Sequence, residues 1–118
     1  MTKQISKSLK GAVSDMLILG ILSQNGSSYG YEINKIIMDI SNGKVKMDAG
    51  NLYPLLNKME EQELIKSEWK VADNSRPRRY YHLLEKGRQE SKELREEWDD
   101  FIFTMDKLLA KSGLDPIA

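Results

Sequence analysis

The sequence of 118 residues contains no cysteine and a single histidine, His82. Without cysteine there are no disulfides, no thiol catalysis and no thiolate metal site. One histidine gives too few nitrogen ligands for a metal site, so we expect no metal and no other cofactor. No set of nucleophile, base and orienting group is recognisable, and there is no phosphate-binding loop. We therefore do not expect an enzyme.

Long hydrophobic runs are also missing. The longest, Met16 to Leu22, is seven residues long when Gly20 is counted, far less than a membrane span requires. The N-terminus lacks the apolar segment of a signal peptide. We expect a cytoplasmic protein with no membrane partner.

The charges balance, 18 basic against 18 acidic residues, but they are unevenly distributed. Residues 1–82 carry a net charge of +3 and residues 83–118 a net charge of −3. A basic surface that meets a polyanion would explain this asymmetry, and scattered solvated charge explains it equally well. The chain length suits one domain with one core.

Apolar periodicity predicts two helices in the first part of the chain. The first spans Ser6–Gln24 and has apolar residues on more than one face, so we expect it to be buried on two sides. The second follows a loop, with Ser28 as its cap and Ser41–Gly43 as its end. The apolar positions are Leu9, Ala12, Val13, Met16, Leu17, Leu19, Ile21 and Leu22 in the first helix, and Ile33, Ile36, Ile37 and Ile40 in the second.

A short extended segment, Lys44–Met47, precedes the third predicted helix. Asp48 marks its beginning, and Pro54 is the difficulty, because proline inside a helix costs about 3 kcal/mol. We therefore place the helix start at residues 49–52, so that Pro54 falls in or near the first turn. The buried stripe comprises Leu52, Leu55, Leu56 and Met59.

A β-hairpin and a long helix complete the chain. Ile65–Val71 and Arg79–Leu83 have strand patterns, and Asp73–Pro77 between them is typical of a turn. Leu84–Ala110 follows as a helix with a coiled-coil-like spacing of apolar positions. These positions are Ser91, Leu94, Trp98, Phe101, Met105 and Leu108.

The order of elements predicts a mainly α fold with a small β-hairpin, arranged as a winged helix-turn-helix. Residues 1–83 would form the DNA-binding domain. Residues 84–118 would form a C-terminal dimerisation helix and tail, in one compact unit with the first helix.

Four segments of the sequence form a recognisable set: Tyr29–Ile33, Ala49–Leu56, Glu60–Ile65 and Arg76–Tyr81, the last followed by Leu83 and Gly87. In order and spacing they resemble the signature of PadR-type transcriptional regulators, over residues 9–90. The sequence is similar to the smaller subgroup, which has a single C-terminal helix. It departs from the family pattern at Asn51, Glu63, Ser75 and Leu84, where the family usually has Thr, Gly, Gly and Thr.

The strongest candidate for DNA contact is the basic turn Arg76-Pro77-Arg78-Arg79, because arginine pairs bidentately with phosphate and fits a narrow minor groove. Asn51 could contact a base edge or cap the third helix, and Tyr53 could contact phosphate, as the resemblance implies, or pack its ring on the helix below. The candidate lysines could contact phosphates or could simply be solvated charges on the protein surface. The candidate DNA-binding residues are Asn51, Tyr53, Asn57, Lys58, Lys66, Lys70, Arg76, Arg78, Arg79, Lys7 and Lys10, with Lys3 on the same face of the first helix.

A long helix with a large apolar stripe needs a partner, and a two-fold homodimer provides one. Trp98 would lie in the dimer core or line a cavity at its centre. The resemblance favours a cavity, because multidrug-sensing relatives hold planar ligands between such aromatic residues. The candidate residues for the dimer interface and ligand are Leu9, Met16, Leu94, Trp98, Phe101 and Met105.

We therefore expect a homodimeric PadR-type repressor that binds a palindromic double-stranded operator. A small aromatic or hydrophobic effector would release it. The alternatives are a small-molecule-binding dimer and a protein-interaction module, each using the winged helix as a scaffold.

Overall fold

A computed structural model describes residues 7–71 and 76–113. Four helices and three short strands make up this part of the chain, and together they confirm the mainly α, winged helix-turn-helix prediction. The long C-terminal helix is also present. The elements are α1 (Lys7–Asn25), β1 (Ser28–Tyr29), α2 (Gly30–Ile40), α3 (Ala49–Glu61), β2 (Ile65–Lys70), β3 (Arg78–Leu83) and α4 (Glu85–Lys111).

The sheet has a third strand that the sequence pattern does not reveal. β3 lies between β1 and β2, and both pairings are antiparallel. Ser28 was predicted to cap α2, which is wrong, because it lies buried in β1 opposite Tyr81. Its hydroxyl accepts a hydrogen bond from Asn25 Nδ2 at 2.8 Å and donates one to the carbonyl oxygen of Gly26 at 3.1 Å. Tyr29 takes the position before the helix.

The core lies where α1, α2 and α3 meet the sheet. The predicted stripes of α2 and α3 are confirmed, apart from Ile40, which ends α2 with 76% of its surface exposed. Ile36 and Leu55 are half-buried. α1 contributes buried residues on adjoining faces, including Ile18, which the predicted set omits. The buried apolar residues are Ile18, Leu19, Leu22, Ile33, Ile37, Met47, Leu52, Leu56, Met59, Leu64, Ile65 and Tyr81.

The turn between α2 and α3 is held by the side chain of Asn34. Its Nδ2 donates to the carbonyl oxygen of Met47 at 2.9 Å, and its Oδ1 accepts from the N–H of Met47 at 3.0 Å. This pair of bonds satisfies the backbone of a buried residue and fixes where α3 starts. Lys44–Met47, predicted as extended, belongs to this irregular turn and not to a strand.

α3 begins at Ala49, within the predicted range. Pro54 is its sixth residue, early in the second turn and so near the first turn, as predicted. The missing N–H leaves the carbonyl of Gly50 without its helical partner. Gly50 and Pro54 are both exposed, so solvent can replace that hydrogen bond.

The end of α3 is a Schellman motif built around Glu63. Glu63 N–H donates to the Glu60 carbonyl at 3.0 Å, and Leu64 N–H donates to the Met59 carbonyl at 3.0 Å. The φ angle of Glu63 is 61°, in the left-handed region that favours glycine. The chain therefore keeps the turn although it lacks the usual glycine.

The start of α4 is anchored to the end of α3. The N–H of Leu84 donates to the carbonyl oxygen of Leu64 at 2.9 Å, but the side chain of Leu84 provides no cap hydrogen bond. Gly87 lies so close to Leu64 that a Cβ there would overlap its carbonyl oxygen. From this fixed base α4 packs along α1 and continues beyond the core, for a length of about 40 Å at 1.5 Å per residue.

Candidate nucleic-acid interface and apolar seam

The solvent side of α3 carries polar residues opposite its buried stripe. Asn51 is the third residue of α3 and its own N–H bonds to the Asp48 carbonyl at 2.9 Å, so the interpretation of Asn51 as the helix cap is wrong. The side chain of Asn51 is exposed, so contact with the edge of a DNA base remains the prediction for this residue. The exposed residues of this face are Asn51, Pro54, Asn57, Lys58 and Glu61.

Tyr53 is positioned by Gly30 at the start of α2. A Cβ on residue 30 would lie 2.6 Å from Tyr53 Oη and 2.8 Å from two ring carbons, so the ring occupies space that only glycine leaves free. Tyr53 remains partly exposed beside the sheet. The phenol is therefore held at the edge of α3 with its hydroxyl near the N-terminus of α2.

An open cleft of about 660 Å³ lies between α3, the start of α2 and the β2–β3 hairpin. We call it the wing cleft. Its lining contains three arginines, and no carboxylate among the described residues. Such a surface attracts an anion and offers aromatic faces to it. The lining residues are Tyr29, Gly30, Tyr31, Tyr53, Asn57, Trp69, Arg76, Pro77, Arg78, Arg79 and Tyr81.

Arg78 is held over an aromatic ring. Its guanidinium carbon lies 4.5 Å from the centre of the Tyr29 ring, which packs edge-on against Tyr80 at 5.3 Å. Arg76 and Arg78 are both exposed, and neither pairs with any carboxylate in the part of the chain that the structure describes. Their charges remain available to a ligand.

Arg79 is different, because it is paired within the protein. Its Nη2 lies 3.0 Å from Glu60 Oε1, and its Nε donates to Ser67 Oγ at 2.8 Å. The Ser67 hydroxyl donates to Glu60 Oε2 at 2.8 Å. Partial desolvation raises the pKa of Glu60, but the Ser67 hydrogen bonds and the Arg79 charge outweigh it and keep that pKa below its usual value. This network ties the hairpin to the end of α3.

The predicted lysines are not brought into the wing cleft. Lys66 and Lys70 alternate with Ser67 and Trp69 along β2 and so lie on the other face of the sheet. Lys70 Nζ is 3.5 Å from Glu68 and 5.2 Å from the centre of the Tyr80 ring. Lys7 and Lys10 belong to the first turns of α1, but their side chains, like all of Lys3, lie outside the described residues.

Sequence reasoning missed four aromatic residues that line the wing cleft, namely Tyr29, Tyr31, Trp69 and Tyr81. Trp69 was assigned only to the apolar alternation of a strand. The useful signal was its position two residues beyond Ser67, towards the free end of the hairpin, where no core remains to cover it.

The second candidate site surrounds Trp98, which packs half-buried against α1. Open cavities of about 510 and 430 Å³ adjoin it, and both are lined by Val13, Met16 and Trp98. Leu94 and Phe101 line the smaller one. The structure thus brings these four predicted residues together: Met16, Leu94, Trp98 and Phe101. The side chain of Leu9 lies outside the described residues, and Met105 is half-buried farther along α4.

The distal half of α4 exposes a continuous apolar stripe, which we call the apolar seam. Phe101 and Leu108 are 51% and 55% exposed. Residues three, four and seven apart share a helix face, which places the seam on one side of α4. Phe103 lies on the opposite side, with Lys107 Nζ 4.4 Å from its ring centre. The seam comprises Trp98, Phe101, Ile102, Met105, Leu108 and Leu109.

The Transcriptional regulator PadR-like family matches residues 18–93 of the chain. The chain belongs to this family. The match covers the sheet, the helix-turn-helix and the first part of α4, and it confirms the resemblance found in the sequence.

Solved structures of transcriptional regulators, two of them named as PadR-type, have the same fold. A transcriptional regulator from Clostridium thermocellum is 28% identical with a TM-score of 0.77, covering 86% of this chain and 97% of its own. A PadR family regulator from Eggerthella lenta is 31% identical with a TM-score of 0.76, covering 86% of both chains. A PadR-like regulator from Bacillus cereus is 30% identical with a TM-score of 0.74, covering 87% of this chain and 97% of its own.

Membership of the PadR-like family makes the chain a DNA-binding transcriptional regulator and not an enzyme. None of its helices, within the described residues, is both long and apolar enough to cross a membrane. The same part of the chain holds no cluster of three metal-binding side chains.

Proposed function

We propose that this PadR-like protein is a homodimeric repressor that binds a palindromic operator and is released by a small planar hydrophobic ligand. The observation that carries the DNA-binding part is the wing cleft beside the exposed face of α3, where Arg76 and Arg78 pair with no carboxylate among the described residues. Such a repressor acts on chromosomal DNA in the cytoplasm.

In this proposal α3 enters the major groove, where asparagine and lysine side chains read or neutralise the DNA. Asn51 and Asn57 face base edges, because an asparagine amide pairs bidentately with adenine. Tyr53 and Lys58 contact phosphates. Arg76 and Arg78, at the base of the hairpin turn, reach the neighbouring backbone or minor groove.

The apolar seam supports the homodimer. Beyond Trp98, which packs against α1, its side chains are exposed or half-buried. Burying such large apolar residues against a second copy stabilises association. The same seam on both copies is self-complementary around a two-fold axis. Residues 84–118 would then act as the dimerisation unit, and residues 1–83 as the DNA-binding domain. Two α3 helices would face half-sites about 34–36 Å apart.

The cavities beside Trp98 support the proposal that a small effector binds there. Their volumes, about 510 and 430 Å³, lie in the range that small-molecule sites occupy. A flat apolar ligand would stack on the indole between α1 and α4. It releases DNA only if it binds the released state more tightly than the DNA-bound state.

The first experiment is binding of the purified protein to a duplex from its own upstream region, with a scrambled duplex as control, over a range of salt. We expect tighter binding to the upstream duplex and a log–log salt slope of about −0.9 per phosphate neutralised. Weak, equal binding to both duplexes would contradict an autoregulating repressor. Binding without any salt dependence would favour the alternative of a protein-interaction module.

The effector is tested separately, by titrating planar aromatic compounds into Trp69→Phe, in which Trp98 is the sole tryptophan, while recording tryptophan emission and DNA affinity together. We expect a compound that quenches Trp98 also to weaken operator binding. Quenching of Trp98 that leaves DNA affinity unchanged would instead favour the small-molecule-binding dimer.

A further inference from the structure

Trp69 is a large aromatic side chain with 67% of its surface exposed, close to the free end of β2. It shares a sheet face with Ile65, which is buried, and Ser67, which contacts Glu60. The buried core does not extend as far along β2 as Trp69. Since exposing an indole to water is unfavourable, we expect another molecule to bind beside Trp69 and cover its ring.

That space is the wing cleft, and the residues that line it indicate which kind of ligand can bind there. Tyr53 and Asn57 of α3 lie on one wall and Trp69 on the hairpin wall. Arg76 and Arg78 also line the cleft, and neither pairs with a carboxylate among the described residues. An indole can donate a hydrogen bond through Nε1 but cannot accept one. The cleft therefore suits a ligand with anionic acceptors at short intervals and apolar surface between them.

A sugar–phosphate strand has this pattern, because each anionic phosphate alternates with an apolar deoxyribose face. We propose that the wing cleft holds one strand of the duplex backbone, with the Trp69 ring against deoxyribose and its Nε1–H donating to a phosphate oxygen. This inference rests on the proposed DNA-binding function. It makes Trp69 a DNA-contacting residue and assigns the cleft, between α3 and the hairpin, to backbone contact.

The first test exploits the fact that the chain has only two tryptophans. Trp98→Phe leaves Trp69 as the sole emitter. Acrylamide quenching is measured with and without a duplex of about 30 base pairs at about 50 mM salt, where sequence-independent binding also occurs. We expect DNA to lower the quenching constant at least about twofold, because the ring becomes covered. Labelled duplex in the same samples reports binding independently.

The second test is the affinity of Trp69→Ala for the same labelled duplex. We expect about tenfold weaker binding with an unchanged salt slope, because an aromatic contact is lost and no charge is removed. Ile40→Ala is the matched control, since it removes an exposed apolar residue away from the cleft and should leave affinity unchanged. Trp69→Phe should restore part of the affinity through its ring.

The outcomes distinguish the proposed Trp69 contact from the proposed DNA-binding function. If the duplex binds but Trp69 stays equally accessible to acrylamide and Trp69→Ala binds normally, the backbone contact is wrong and DNA binding stands. If the wild-type protein binds no duplex even at low salt, the proposed function fails, and the contact fails with it. Circular dichroism of Trp69→Ala confirms that the fold is kept.

Discussion

The wing cleft and the apolar seam are both exposed, but only the cleft has side chains that contacts within the chain hold in place. Three of its residues are supported in this way: Tyr53 packs against Gly30, Arg78 lies over the Tyr29 ring, and Arg79 pairs with Glu60. In the seam, Phe101 and Leu108 project from a helix that has left the core. In the proposed function, the cleft with its side chains already held in place binds DNA, and the apolar seam without such support binds a second copy of the chain.

The two surfaces also differ in the partner that their chemistry selects. Unpaired arginines favour a polyanion and make binding depend on salt. Aliphatic and aromatic side chains without charge favour an apolar partner, and such contacts depend little on salt. The following changes are expected to separate these behaviours.

The largest effect is expected from Phe101→Glu combined with Leu108→Glu. Dimerisation would bury these carboxylates without a partner, which costs several kcal/mol for each charge. We expect the dimer dissociation constant to rise at least about 100-fold, as measured by sedimentation velocity over a concentration series. The monomeric variant should still bind a single half-site through its intact wing cleft.

Phe103→Glu is the matched control for that variant, because Phe103 lies on the opposite side of α4 and is also exposed. It adds the same charge to the same helix and should remain dimeric. Equal dissociation constants for the two variants would contradict the seam as the dimer interface.

The next largest effect is expected from Leu56→Ala, which removes a completely buried side chain from α3. We expect a loss of about 2–5 kcal/mol in the free energy of unfolding, measured by urea denaturation. Ile40→Ala in the same assay should change it by less than about 0.5 kcal/mol. A comparable loss for Ile40 would mean that this residue is covered in solution.

These two residues also show what the sequence can predict. The 3.6-residue period identifies the buried side of α3, because Leu52, Leu56 and Met59 all face one core. The same rule fails at Ile40, since it gives the face of a residue but not how far the core extends along the helix. Only the arrangement of the other elements decides that.

The candidate site was predictable to a similar extent. The resemblance and the basic turn singled out Tyr53, Arg76 and Arg78, and the structure places all three beside one cleft. They did not show that Arg79 is paired with Glu60, because those residues are 19 positions apart and meet only when β3 returns past α3. Two-residue β1 was missed for a related reason, since its only signal is its pairing with β3.

A smaller effect is expected from Arg76→Ala combined with Arg78→Ala. If both side chains neutralise phosphates, the log–log salt slope of DNA binding should become shallower by about 2 units. Lys107→Ala, on the distal half of α4, is the comparison away from the hairpin and should leave the slope unchanged. A slope that responds to Lys107 but not to the arginines would move the DNA-binding surface to α4.

Glu63→Gly should stabilise the protein, by about 1 kcal/mol. The φ angle of 61° is strained for glutamate and ordinary for glycine, and the greater freedom of glycine in the unfolded chain offsets part of the gain. Thermal or urea unfolding measures the difference. Glu61→Gly, inside the last turn of α3, should do the reverse and lower stability. Destabilisation by both changes would mean that the Glu63 side chain is itself needed.

The smallest effect, and the one specific to pH, is expected from Glu60→Gln. The folded protein keeps the pKa of Glu60 below the ordinary 4.5, so the carboxylate contributes stability above pH 4.5 and loses it as the pH falls through the lowered pKa. Because the pair with Arg79 is partly solvated, we expect about 1 kcal/mol or less. Unfolding measured at neutral pH and again below the folded pKa should therefore show wild type and Glu60→Gln converging in acid. Glu61→Gln, an exposed neighbour on the same helix, should show no such convergence. If Glu60→Gln already equals wild type at neutral pH, the charge of Glu60 does not hold the hairpin to α3, and the hydrogen bonds from Ser67 and Arg79, which glutamine can also accept, are sufficient.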